Sequence, residues 1–174
     1  MVRKDTIDME IQHLSKQYDV RVLLAADAEM VYEVLKNNTI FYKYHPPMVT
    51  VESILEDMEA LPQNKGYEDK HYIAFFQDDI LVAVMDLIEH YPEHGTALLG
   101  FFAMNSNLQG QGIGTVIISE SVAYLAQLGF EKIRLGIDKG NPQSTAFWLK
   151  NSFTFTGGEY ESDGSVILVM ERSL

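Results

Sequence analysis

Hydrophobic and polar positions follow two rhythms along this chain, and the changes of rhythm mark its elements. Residues 20–24 (Val-Arg-Val-Leu-Leu) form a short, largely apolar run that reads as a first strand. Asp27-Ala28-Glu29 then opens a helix predicted to reach about Asn37, with Met30, Val31, Val34 and Leu35 on one face. The aromatic patch Phe41-Tyr42-Lys43-Tyr44-His45 ends at Pro46-Pro47, where locked backbone and missing amides break the chain. Thr50, followed by Glu52, Ser53 and Asp57, starts a second helix, which Leu61-Pro62 ends. Residues 63–70 are a polar loop.

The rhythm then turns to strands. Residues 71–76 are aromatic and β-branched, and Gln77-Asp78-Asp79 is a turn. Residues 80–89 are almost continuously apolar, as in a central strand covered on both faces. A turn over residues 91–95 leads into a third run, residues 97–104. A long helix is predicted over residues 112–128, with Ile113, Val116, Ile117 and Tyr124 at helical spacing and Gly129 at its stop. Residues 133–137 form a strand, and Asn141-Pro142 opens another helix. Residues 153–156 and 166–170 pair across the Asp163-Gly164 turn. The first seventeen or so residues carry Ile7, Met9, Ile11 and Leu14 at mixed spacing and are read as an N-terminal extension. The order is a strand, two helices, three strands, a helix, a strand, a helix and a strand pair. It predicts an α/β fold, a mixed and largely antiparallel sheet with helices on both faces.

Composition narrows this picture. With no repeat or linker, 174 residues are expected to make one domain, 1–174, and 47% hydrophobic content suffices for its core. There is no cysteine, which excludes disulfides, thiolate metal sites and cysteine nucleophiles and suits a cytoplasmic location. No secretory signal opens the chain, and the longest apolar run, residues 80–85, is too short to span a bilayer. A formal net charge of −12 argues against nucleic acid as partner. It suits either a cationic substrate, such as a polyamine or lysine side chain, or plain solubility. The five histidines show no metal-site spacing.

The most informative stretch is Gln109-Gly110-Gln111-Gly112-Ile113-Gly114-Thr115, between a strand and the long helix. Glycines there let backbone amides approach a ligand, and the helix start favours phosphate groups. The spacing fails the dinucleotide fingerprint G-x-G-x-x-G, whose third glycine would fall on Thr115, and no lysine completes a P-loop. A tight turn that merely needs glycine is the bland alternative.

Gln109, Gly112 and Gly114 resemble the Q/R-x-x-G-x-G/A motif of the GNAT acetyltransferases. The segment from Asn141 through Ser144, Phe147, Trp148 and Lys150 to Phe153 is similar to a second block of that family, N-x-x-A-x-x-F-Y-x-K-x-G-F. The two blocks stand in the family's order and cover roughly the C-terminal 40% of the chain. The resemblance implies acetyl-CoA as co-substrate, no metal, and an amine acceptor, small molecule or protein. Amides of Gly110, Gln111, Gly112, Gly114 and Thr115 would hold the pyrophosphate. Phe102 and Met104 would pair with the pantetheine arm like an added strand, Asn141, Ser144 and Phe147 would border it, and the Met104 amide would face the developing oxyanion.

Two positions depart from the pattern. Ser152 replaces a glycine, and Trp148 replaces the tyrosine that in many members protonates the leaving thiolate. Indole cannot usefully give up its proton. A thiolate of pKa roughly 8.5 still leaves tolerably unassisted, so the enzyme reading stands. The competing reading from Trp148 is an acyl-CoA-binding or sensing module without turnover. An oxidoreductase is opposed by the misplaced glycine.

For the acceptor side, Asp86 interrupts the apolar run of residues 80–89 and is the first candidate for general base or amine anchor, ahead of Glu89. A structural aspartate is the alternative. Tyr42, Tyr44 and Tyr91 lie in segments that border the acceptor cleft in the family's fold, where they would shape an amine pocket or simply cover the core edge. The final hairpin is the segment available for pairing two copies into a homodimer.

Overall fold

The computed structural model describes residues 8–174, so Ile7 lies outside it. The elements are β1 (Asp19–Val22), α1 (Ala28–Leu35), α2 (Thr39–Tyr44), α3 (Val51–Glu59), β2 (Lys70–Gln77), β3 (Ile80–Ile88), β4 (Thr96–Met104), α4 (Ile113–Gln127), β5 (Lys132–Asp138), α5 (Pro142–Lys150), β6 (Thr154–Ser162) and β7 (Ser165–Ser173). They build one seven-stranded sheet in the order β1-β2-β3-β4-β5-β7-β6. Every pairing is antiparallel except β4 with β5.

Two apolar layers cover the sheet. Alternate β2 and β3 residues, Ile73 and Phe75 with Ala83, Met85 and Leu87, pack under Ile117, Ile118 and Leu125 of α4 and Trp148 of α5. The intervening Tyr72, Ala74 and Val84 meet Val31 and Leu35 of α1 and Ile54 of α3. Period-two alternation thus sends successive side chains to opposite layers. Each large side chain buried in this way contributes roughly 1.5–3 kcal/mol.

Three differences from the pattern-based expectation have physical causes. The aromatic patch is itself a short helix, α2, because Phe41 packs edge-on against Phe101 of β4 at 5.7 Å. The N-terminal segment docks on α4 from Met9 onward. Ile11 and Leu14 are buried, and Glu120 accepts hydrogen bonds from Ser15 Oγ at 2.6 Å and the Lys16 amide at 2.8 Å. The last hairpin is longer than expected, since β7 carries the Gly157-Gly158 stretch of β6 along through an irregular register. Ser152 ends α5 at φ +68°, the left-handed position where the second motif has glycine. Among the described residues, no helix is long and apolar enough to cross a membrane.

Candidate active site

The parallel pairing of β4 and β5 is short. It runs from Thr96 opposite Lys132 to Leu99 opposite Leu135, and beyond Leu99 the strands part. On its other edge β4 stays paired with β3, but the register slips at Gly100, because Asp86 faces Phe101 while Leu87 faces Leu99. A Cβ at Gly100 would stand 2.9 Å from Asp86 Oδ2, so the bulge needs glycine there. The Asn105 amide donates to Val82 O at 2.8 Å. Antiparallel pairs alternate, so Ala103 and Phe101 also bond toward β3, while the backbone groups of Phe102 and Met104 point into the gap.

One cavity, of about 340 Å³, lies along this free edge. Its floor is the start of α4. Gly112, at φ +79°, is the N-cap residue, has no capping side chain, and precedes the first helical hydrogen bond, Val116 N to Gly112 O. The amides of Ile113, Gly114 and Thr115 therefore stand ahead of the helical ladder, at the positive end of a fifteen-residue helix. Gly110 and Gly112 sit at positive φ, where glycine is favoured and few other residues fit, and nothing lies within 4 Å of a Cβ added at either. Gly114 needs it for space: a Cβ there would stand 3.1 Å from Phe147 Cε2 and 3.4 Å from Met104 Sδ.

Of the coenzyme residues expected from the sequence, Phe102, Met104, Gln109, Gly110, Gly112, Gly114, Thr115, Ser144 and Phe147 line this cavity. Gln111 and Asn141 do not. Gln111 is an exposed loop residue. Asn141 is buried at the start of α5, where its Oδ1 accepts from the Gln143 and Ser144 amides at 3.1 and 3.2 Å. It fixes the helix that carries Ser144 and Phe147. Lys150, part of the second motif but given no role from it, is the one charged residue in the lining among the described residues.

A second cavity, of about 550 Å³, adjoins the first. The two share Phe41, Phe102, Ser144 and Trp148. Trp148 is buried, with ring centroids of Phe147 and Phe153 each at 4.9 Å and Phe102 at 5.9 Å. It packs the junction between the cavities.

Five carboxylates, Glu56, Asp57, Asp86, Asp138 and Asp163, line the second cavity among apolar and aromatic side chains. Asp86 lies there, but both its oxygens accept from Lys70 Nζ, at 2.9 and 2.8 Å, and both side chains are largely buried. Burial pushes the Asp86 carboxyl up, and Lys70 pulls it only partly back. Asp57 is reached by solvent but sits in the concave wall, and this withdrawal from bulk water, then the Asp86 charge, raises its carboxyl. His45 Nδ1 bonds Asp138 Oδ1 at 2.8 Å. Glu89 is held by His71 at 2.6 Å, away from this wall.

Tyr42 lines the second cavity, whereas Tyr44 and Tyr91 do not. Two residues along a helix turn about 200°, so Tyr44 leaves the face that Tyr42 presents. Tyr91 lies in the β3–β4 turn beyond the strand ends. The sequence reading missed Lys70, Asp57, His45 and Asp138. Only Asp138, a carboxylate ending an apolar strand, carried the signal that had selected Asp86.

Burial, and then the Asp57 charge, pushes the Tyr42 phenol up to about 12, and Tyr72 is raised in the same way. A raised folded-state pKa means stability that is complete below the free phenol's value and lost as pH climbs through the folded one. Melting temperature is therefore expected to fall between pH 10 and about 12. Tyr42→Phe should flatten that fall; an unchanged slope would remove Tyr42 from its cause.

Comparison with known proteins fits this geometry. Residues 31–153 match the acetyltransferase (GNAT) family. No curated protein sequence matches the chain. Among solved structures, an acetyltransferase from Thermus thermophilus superposes with TM-score 0.73 at 20% identity, covering 95% of this chain and 100% of that one. Spermidine N-acetyltransferase from Vibrio cholerae, in complex with CoA and spermine, has TM-score 0.66 at 19% identity, covering 91% and 96%. The PaiA N-acetyltransferase of Thermoplasma acidophilum, in complex with coenzyme A, has TM-score 0.63 at 20% identity, covering 90% and 99%.

Proposed function

This chain belongs to the acetyltransferase (GNAT) family, and on that premise we propose that it moves the acetyl group of acetyl-CoA to the amine of a cationic acceptor, in one ternary complex. The observation that carries this is the pair of adjoining cavities of opposite character. One is walled by uncapped amides of α4 and the free edge of β4, the other by five carboxylates. Both join at Phe102 and Trp148.

Acetyl-CoA supplies the activated acyl group. The α4 amides and Lys150 suit its phosphates, and the Phe102 and Met104 backbone suits its amide-bearing arm. The Met104 amide is assigned to the carbonyl oxygen as negative charge develops there. Gln111 contributes its backbone, and Asn141 holds the α5 start. Asp86 and Asp57 draw the acceptor, with Asp86 fixed in place by Lys70. Two of the solved relatives were seen with coenzyme A and one with spermine, which accords with both halves of the reading.

Calorimetry with coenzyme A and NADH, followed by thiol release from acetyl-CoA across an amine panel, tests it. Coenzyme A is expected to bind and NADH not to, and polyamines are expected to outperform neutral or anionic amines. Tighter binding of NADH would overturn the proposal. Tight coenzyme A binding without thiol release for any amine would make the chain a binding module.

Trp148→Tyr bears on the same site. Losing the indole from the four-ring junction is expected to cost about 1–3 kcal/mol of stability. Turnover should not rise. Faster thiol release in this variant, measured beside thermal melting, would show that a missing proton donor limits the wild type.

A further inference from the structure

We propose that His45, oriented by Asp138, is the base that takes the proton from the acceptor amine; this rests on the acetyl-transfer reading above. The second cavity offers several proton acceptors, and their surroundings separate them. Both Asp86 oxygens are spent on Lys70, whose side chain is only 3% exposed. Asp138 is buried, and its Oδ1 is engaged by His45. A carboxylate that accepts at Nδ1 places the neutral imidazole's proton on that nitrogen and leaves the Nε2 lone pair available. The His45 side chain is 35% exposed and lines the cavity, so that nitrogen can be reached by a ligand.

Position supports the role. Asp138 ends β5 on the wall that has parted from β4, and three residues later Asn141 starts α5. His45 comes from the opposite side, after α2, and its ring lies 5.4 Å from Phe41, which borders both cavities. The pair thus ties the α2 end to β5 beside the junction where the acyl group and the amine must meet. The charged and titratable groups sharing this wall are Glu56 and Asp57 of α3, Tyr72 of β2, Asp86 of β3 with its Lys70, Tyr42 of α2, and Tyr160 and Asp163 of the last hairpin. Their net negative charge suits a cationic acceptor.

The protons balance. A protonated amine loses one proton to His45 Nε2 and becomes a nucleophile. Its nitrogen bonds the acyl carbon while the carbon–sulfur bond breaks, and sulfur leaves with the bonding pair. The nitrogen's second proton ends on that thiolate, and His45 returns the first to solvent. An imidazole is a side chain that can take up a proton and hand it on in this way. Asp138 is a positioning residue that sets the tautomer.

His45→Asn tests the assignment, because the asparagine amide can still donate to Asp138 while nothing replaces Nε2. Acceptor kcat/KM is expected to fall about 10²–10⁴-fold. The acid limb of its pH profile should move upward to the amine's own deprotonation. Coenzyme A affinity should hold. Asp138→Asn should weaken kcat and displace that limb. If the pair only clamps the loop, His45→Asn keeps the wild-type pH profile, and that result overturns the proposal. Should His45→Asn fail to fold, His45→Ala with added imidazole is the second arm: recovery of rate supports the base, and none opposes it. Absence of thiol release in the wild type would instead mean that the acetyl-transfer reading is the one at fault.

Discussion

Asp86→Asn is expected to destabilise the protein by about 3–5 kcal/mol, since it leaves one partner of a buried ion pair uncompensated. Lys70 Nζ holds both Asp86 oxygens, and the two side chains are 3% and 13% exposed. The neutral amide can still accept one hydrogen bond, but it cannot offset an ammonium withdrawn from water. The nearby Asp57 charge, which interacts with Lys70, keeps the loss toward the lower end of that range. Replacing both partners with apolar residues of similar volume should cost much less, because no buried charge is then left alone. Chemical denaturation of the single and double variants measures this directly. A single variant within about 0.5 kcal/mol of wild type would mean that the pair is effectively solvated. In the folded fraction, a raised acceptor KM is expected because the wall has lost a charge. A kcat loss as large as that expected for His45→Asn would instead make Asp86 the base.

Gly112→Asp should weaken coenzyme A binding more than about tenfold beyond Gly112→Asn. Both residues tolerate the left-handed backbone that Gly112 adopts at φ +79°, and they are nearly the same size. The space around a Cβ there is open, so neither variant meets a steric clash. What differs is one negative charge at the mouth of the α4 amides. Like charges a few ångströms apart repel by about 1 kcal/mol in water and about 4 kcal/mol in a partly shielded site. A tenfold change corresponds to about 1.4 kcal/mol. Raising the salt concentration should narrow the gap between the two variants. Equal affinities at low salt would remove the phosphates from this helix start. A bulky residue at Gly114 should act differently, through collision with Phe147 and Met104, and register as lost stability.

Local order decides how much of this molecule can be read from its residues in sequence. The helix starting after Thr50 is legible because its cap closes within one turn, Thr50 Oγ1 accepting from the Ser53 amide at 3.0 Å. The same holds for Asn141 and α5, for the two-sided burial of β3, and for the glycine loop before α4. In each case the signal, a cap, a glycine spacing or an apolar run, lies within a few residues. The motif spacing likewise marked most of the first cavity, because one loop and one helix supply most of its lining.

The acceptor side is assembled across the chain. Lys70 reaches Asp86 over 16 residues, only through the β2–β3 register, and His45 meets Asp138 over 93. Asp86 stood out in sequence as a lone carboxylate in an apolar strand, but nothing near it announced the lysine that occupies it. Tyr42, Tyr44 and Tyr91 looked equivalent until helix phase separated Tyr42 from Tyr44 and the β3–β4 turn carried Tyr91 beyond the strand ends. The residues alone determined most of the elements, their order and the glycine loop, because periodicity and capping act within a turn or a strand. Only the tertiary structure decided that Asp86 meets a lysine and His45 meets Asp138, because those neighbours are brought together by the sheet from far apart in the chain.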